Sequence, residues 1–299
     1  MKPETQQIVA TLGELTEDLY YSLVGDEPYV VISWEVEAQG AFSWENFLVD
    51  NQALISFNPE QFLEHIQQNQ SQKLSETYQS LLALLQDNLS ELTIYGYGFP
   101  KLSAELFNGD LPIAEGELDP LGVPIFIGLS SEGNWIGLAP QQNGGCSSAP
   151  ELIIPNLESV CEVTKSLVEE IKSITNQIEY TIGCKSWKIN SAWEIAITAS
   201  RNSIIEKTLL EAGFLSVSAV NNDFWNLDDK MDEVEEDEPM DEDLEKEIGL
   251  KECFQSQLSH GKIYHLEYVI SGEWFTIHYI LGQTTDGDWV GVVTDSFTF

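Results

Sequence analysis

The stretch Phe126-Ile-Gly128-Leu-Ser-Ser-Glu-Gly133-Asn-Trp135-Ile-Gly137-Leu138 is written a second time near the end, as Ile280-Leu-Gly282-Gln-Thr-Thr-Asp-Gly287-Asp-Trp289-Val-Gly291-Val292. Gly128, Gly133, Trp135 and Gly137 recur at a constant spacing of 154 residues (282 − 128). In each copy two apolar runs flank an acidic residue followed by glycine, Glu132-Gly133 or Asp286-Gly287, the short-range signal for a hairpin turn that needs φ > 0. The spacing predicts duplication, hence two related domains. Leu92-Thr-Ile-Tyr95 resembles Lys262-Ile263-Tyr264 at a spacing of 169 (264 − 95), so the first copy carries about fifteen extra residues before its hairpin (169 − 154). The Gly/Pro-rich segment Gly96 to Pro120 reads as that insertion, a surface excursion.

Working outward, apolar residues from Ile8 to Leu23 recur at three and four positions and predict an amphipathic helix over 4–24. Gly25-Asp-Glu-Pro28 breaks it, and Tyr29 to Trp34 reads as a strand. A strand over Ala53–Phe57, a helix start at Pro59–Gln67, a helix over Leu74–Leu89 and strands over 92–97 and 124–139 complete the first half. The second half repeats this order: a helix near 157–174, a strand at Trp193–Thr198, a helix near 203–211 and a strand at 215–220, then strands over 263–270, 274–281 and from Trp289 onward. Pro140 to Pro150 carries turn and linker chemistry. The expected division is a first repeat over 1–140, a linker over 141–155 and a second repeat over 156–299.

Hydrophobic content of 42% argues against wholesale disorder. The charge is extreme: 13 basic against 50 acidic residues leave −37. Such a field repels nucleic acid and anionic membranes and steers a basic partner inward. It is densest from Asp228 to Glu247, where thirteen of twenty residues are acidic, facing only Lys230 and Lys246. Like charges at that density favour a solvated, extended or weakly ordered segment. Cys146, Cys161, Cys184 and Cys253 have neither zinc-site nor disulfide-framework spacing, and no leader or membrane span is evident, so a reducing cytoplasm is the expected compartment.

Catalytic patterns are missing. His65, His260, His265 and His278 have no metalloprotease spacing, and neither a phosphate loop nor a nucleophile elbow occurs. The acidic run lacks the glycine an EF-hand loop needs, leaving only weak, unspecific divalent binding. No cofactor, metal or enzymatic activity is expected. Trp135 and Trp289 read as cross-strand packing, and His278, on an alternating strand, reads as structural. The acidic run reads either as a solvated solubility segment or as a polyanion that imitates nucleic-acid phosphate.

Several of these features in order resemble the nuclease A inhibitor-like family of cyanobacteria. They are an N-terminal helix, an acidic loop with a proline, Trp34-Glu35 ending a strand, a later helix, a tyrosine strand, and Ile127-Gly128 through Gly133-Asn134 to Gly137. The second half is similar through Tyr264 and Leu281-Gly282 to Gly291. The resemblance implies an α+β fold, two repeats of an α-β-α sandwich-like domain with a mainly antiparallel sheet. It also implies inhibition of a sugar-nonspecific, Mg-dependent nuclease by carboxylates reaching into a basic, metal-containing site. Carried over residue by residue, the partner-binding set is Asp26 and Glu27 in the first loop, with Asp223, Trp225, Asp228, Asp229, Thr298 and Phe299 in the second half. Three departures stand out: a family glutamate falls near Val24, the second-copy loop Gly183–Lys188 is basic, and the family's Glu-Thr has become Thr298-Phe299. The rival expectation is an interaction scaffold that kept the fold and lost the nuclease. A metal-dependent hydrolase rests on carboxylates alone.

Overall fold

A computed structural model describes residues 1–21, 27–98, 122–142, 161–178, 192–234, 240–270 and 273–298. The excursion from residue 99 to 120, most of the linker and the basic loop Gly183–Lys188 lie outside these residues, as do Cys146 and Cys184; Gly96 and Tyr97, expected to open the excursion, instead end a strand, with Tyr97 buried.

Helix α1 (Pro3–Thr16) starts with proline in its first turn and buries Thr5, Ile8, Leu12 and Thr16. It stops well before residue 24. The Thr16 hydroxyl donates back to the Leu12 carbonyl (2.8 Å), and Asp18 turns the chain with φ 57°. Leu19 keeps its place in the core, but Tyr20 is exposed on a short strand β1 (Tyr20–Tyr21), which pairs with β2 (Glu27–Pro28). The helical spacing of the sequence thus continues past a backbone that has already left the helix. β3 (Val30–Trp34) follows, then α2 (Val36–Gln39) and α3 (Trp44–Asp50), both unforeseen in the sequence. The Ser43 hydroxyl caps α3 by accepting from Asn46 N–H (3.2 Å).

After β4 (Leu54–Phe57) come α4 (Pro59–Asn69), opened by a reciprocal Asn58–Gln61 capping box, and α5 (Gln72–Asn88). β5 (Leu89–Tyr97), β6 (Val123–Ser130) and β7 (Trp135–Pro140) form a meander. The remaining elements are α6 (Glu162–Thr175), β8 (Trp193–Thr198), α7 (Ile204–Ala212), β9 (Leu215–Ala219), α8 (Leu227–Asp232), α9 (Glu242–Ser256), β10 (Ser259–Ile270), β11 (Glu273–Gln283) and β12 (Trp289–Thr298). The two signature turns close as expected, with Gly133 at φ 80° and Gly287 at φ 90°. In each the glycine N–H returns to a carbonyl three residues back, that of Ser130 at the end of β6 or of Thr284 just past β11 (3.0 and 2.9 Å).

The fold is α+β, with antiparallel pairing throughout. Two five-stranded sheets run β4-β5-β6-β7-β8 and β3-β12-β11-β10-β9. Their outer strands cross between the halves of the chain: β8 pairs with β7, and β3 pairs with β12. One core cluster lies between the sheets around α3 and α7. A second packs α4, α5 and α6 on the far face of the first sheet, and a third packs α1, α8 and α9 on the far face of the other. Because helices cover both faces, β6, β7 and the first half of β12, Trp289 to Val293, read as near-continuous apolar runs instead of alternating ones.

Helices α3 and α7 end alike. Ala53 N–H reaches Leu48 O (2.8 Å) across Gln52 at φ 58°, and Phe214 N–H reaches Leu209 O (2.9 Å) across Gly213 at φ 82°. Left-handed backbone costs a side-chain-bearing residue about 1 kcal/mol more than glycine. The atoms nearest to a Cβ at Gly213 belong to Gln142, at 3.6 Å and beyond, so strain and not collision decides the outcome there. Gly213→Ala should therefore lower unfolding free energy by about 1 kcal/mol, and Gln52→Gly should raise it by somewhat less, read as opposite shifts of the urea midpoint.

Candidate functional site: the strap, the turn and the acidic helices

The β1–β2 strap runs beside β12, where the Thr294 hydroxyl donates to Glu27 O (3.5 Å). At the other edge of the same sheet, β9 leads into a single 3-10 turn, Asp223–Trp225. The strap and the turn meet over the sheet. Tyr21 stacks on Phe224 (ring centroids 5.0 Å) and its hydroxyl donates to Phe224 O (3.5 Å), while Trp225 Nε1–H donates to the Tyr29 hydroxyl (3.0 Å). Below them His265 and His278 touch through their Nδ1 atoms (2.8 Å), and Tyr21 and Phe224 pack edge-on against His278 (5.4 and 5.3 Å). Burial, then the neighbouring His265, pushes the His278 pKa down to about 3, and burial lowers that of His265. Both rings are therefore neutral at pH 7, one Nδ1–H donating to the other nitrogen. The pair supports the aromatic lid.

The acidic run is not extended where it is described. Leu227 anchors α8 in the core, and Leu244 and Leu250 anchor α9. Lys230 on α8 donates to both carboxylate oxygens of Glu247 on α9 (2.7 Å each), and Glu247 is only 2% exposed. Apolar anchors and one ion pair on a buried carboxylate thus fold the flanks of a segment whose charge favours extension. Part of the acid has a local role, since Asp241 caps α9 and Glu242, Asp243 and Glu245 sit in its first turn, complementing the helix dipole. Asp228, Asp229, Asp232 and Glu233 stay exposed.

The sequence-derived site residues divide accordingly. Glu27 is half-buried on the strap, while Asp223, Asp228 and Asp229 are exposed around the turn and α8. Asp223 accepts from Asn221 Nδ2 (2.9 Å), and Asp228 accepts from Asn222 Nδ2 (2.5 Å), whose own carbonyl takes a bond from Lys251 (2.9 Å). Trp225 needs correction: it is 0% exposed and holds the turn down, so its ring offers no contact surface. Thr298 is described by its backbone, which pairs with Trp274, and Asp26 and Phe299 lie outside the described residues. Sequence reasoning missed Tyr21, Phe224 and the contact of His265 with His278, which follows from strand register, although His278 reads as structural from the sequence. It also missed Asp295 on β12, whose pKa burial and then the nearby Glu27 carboxylate push up to about 7.

Trp135 is buried under the Arg201 guanidinium (4.8 Å) and Trp289 stacks on Phe42 (4.8 Å), both in packing roles. Among the described residues no group of three or more His, Cys, Asp or Glu is placed to hold a metal, and no helix is long and apolar enough to cross a membrane. No known family model matches the sequence, and no curated protein matches it significantly.

Removing Lys230 alone would strand the Glu247 carboxylate in the core. Lys230→Met is expected to cost about 3 kcal/mol in chemical denaturation, and Lys230→Met with Glu247→Leu should recover most of it. For Asp295, the folded carboxyl keeps its proton to about pH 7, whereas an unfolded aspartate releases it near ~3.9. Folding therefore binds a proton across this window, and the contribution of Asp295 to stability falls as pH rises through it. Asp295→Asn should flatten that fall, measured as the difference in urea stability between variant and parent at pH 4.5 and 7.5.

Proposed function

We propose that this chain is a non-enzymatic acidic binding protein that inserts carboxylates into the anion site of a basic partner, the leading partner being a sugar-nonspecific, Mg-dependent nuclease. One observation carries the reading: the strap bearing Glu27, the Asp223–Trp225 turn and β12 are assembled on one sheet, and the exposed carboxylates of α8 continue from that turn. These are the segments that the family resemblance assigns to inhibition. Folded α8 and α9 also weaken the solubility-segment reading, because a solvating tail needs no buried leucines and no buried carboxylate held by a lysine. Fixed carboxylates lose little further entropy on binding and meet Arg, Lys or a metal at phosphate-like positions.

A second reading, an interaction scaffold without nuclease inhibition, draws on the withdrawal of Trp225 into the core and on Thr298-Phe299 standing where the family has Glu-Thr. The two separate in an activity assay. An Mg-dependent nonspecific nuclease from the same organism, titrated with an equimolar amount of this protein at two salt concentrations, is expected to lose activity, less so at high salt. Asp228→Lys with Asp229→Lys should weaken inhibition about tenfold or more and flatten its salt dependence. Full nuclease activity at both salts would leave the scaffold.

A further inference from the structure

We propose that the chain is an arm-exchanged pair of one module: the first half's α1, β3 and α3 complete the second half's sheet, the second half's α6, β8 and α7 complete the first half's sheet, and neither half holds its fold without the other.

The two crossing contacts are made in one register. Trp289 faces Trp34 and Val292 faces Val31 at β12–β3, while at β7–β8 Trp135 faces Thr198 and Leu138 faces Ile195. Trp289 and Trp135 are the same position of the repeated hairpin, as are Val292 and Leu138. The helices ahead of these strands cross in the same way. α1 buries Thr5, Ile8, Leu12 and Thr16; α6 buries Thr164, Leu167, Ile171 and Thr175 at the same spacing. Thr5 donates to Asp288 in the second half's hairpin (2.9 Å), and Thr164 donates to Glu132 in the first half's hairpin (2.8 Å). Helix, strand and following helix therefore travel together, and both arms end at the paired left-handed caps Gln52 and Gly213.

Beyond the arms the remaining cores also match in backbone detail. β5 slips register between Ser90 and Thr93, β10 between Ser259 and Lys262, and Glu91 and His260 take positive φ inside these bulges (52° and 57°). Two unrelated halves have no reason to share both a bulge and its strained residue.

Equal registers alone would let each arm fold back onto its own half, β3 onto β7 and β8 onto β12. Side chains decide against it. Trp44 of the first arm packs on Tyr264 and Tyr279 of the second half (4.8 and 5.9 Å), and Phe47 packs on Tyr279 (5.3 Å). The second arm presses Thr208 and Ile204 into the space above Gly137, where any side chain would collide with them. The arms also grip each other: Arg201 makes a bidentate pair with Glu45, which accepts a further bond from Tyr95 (2.5 Å).

The experiment uses the full chain with a protease site placed within residues 143–150. After cleavage without denaturant, the two pieces should elute together at the intact mass and unfold in one transition. Separated in denaturant and refolded together they should regain the native near-ultraviolet spectrum, whereas each refolded alone should show no cooperative transition. Pieces that part on cleavage, or a piece that refolds alone cooperatively, would overturn the proposal. An uncut variant gives an independent reading. Ser33→Pro in β3 should speed amide exchange about tenfold or more along β12, residues 289–293, ahead of β7. Faster exchange along β7, with β12 unchanged, would mean that each arm closes on its own half.

Discussion

The pairing of β3 with β12 and of β8 with β7 is the constraint on which the other features depend. Strands β7 and β12 carry buried side chains on both faces, and either would present an open, apolar ladder edge if its outer neighbour were missing. Covering that edge fixes where the N-terminal segment lies. Once β3 is docked on β12, the strap that precedes it has to lie over the same sheet, within reach of the turn that follows β9 at the opposite edge. Tyr21 on Phe224 and Tyr29 on Trp225 are then consequences of topology, bridging about two hundred residues of sequence (203 for 224 − 21).

Charge is managed on the same side of the molecule. A net −37 opposes compaction, yet the few cations near the acidic helices have specific partners: Lys230 on Glu247, Lys246 on Glu242 and Lys251 on Asn222. The Lys230–Glu247 pair joins α8 to α9, while the exposed carboxylates remain in water, where each costs little. At physiological salt, screening over about 8 Å lets these carboxylates act as a local patch and decouples them from acids on distant faces.

Much of the fold is legible in the sequence because its signals are local. The carboxylate–glycine turns, the apolar runs of β6 and β7 and the capping chemistry before α4 each depend on residues within one element. What is not legible is partner choice. The two hairpins carry the same glycines and tryptophan, so nothing in β3 alone says which of them it joins; the deciding contacts are side chains such as Trp44 on Tyr264. Helix α3 escaped because seven residues span too few turns for a period to show, although Ser43 supplies its cap. At the site, Asp223, Asp228 and Asp229 are exposed as their chemistry suggests. The adjacent Trp225 is not, because its indole N–H finds a buried hydroxyl that lies 196 positions away.

The withdrawal of Trp225 also bears on how such a surface would bind. Interface energy usually concentrates in buried aromatic and arginine anchors. Here Tyr21, Phe224 and Trp225 are spent inside, holding the strap to the turn, and what faces outward around them is mostly carboxylate, beside the exposed Tyr20 and Met231. A surface of this kind supplies complementarity of charge and a fixed geometry, which act most strongly on association rate and on discrimination against the wrong partner. The anchoring groups would then belong to the partner, as guanidinium, ammonium or metal. The internal aromatics contribute by keeping the carboxylates in place, and a loosened strap would weaken recognition without altering a single surface charge.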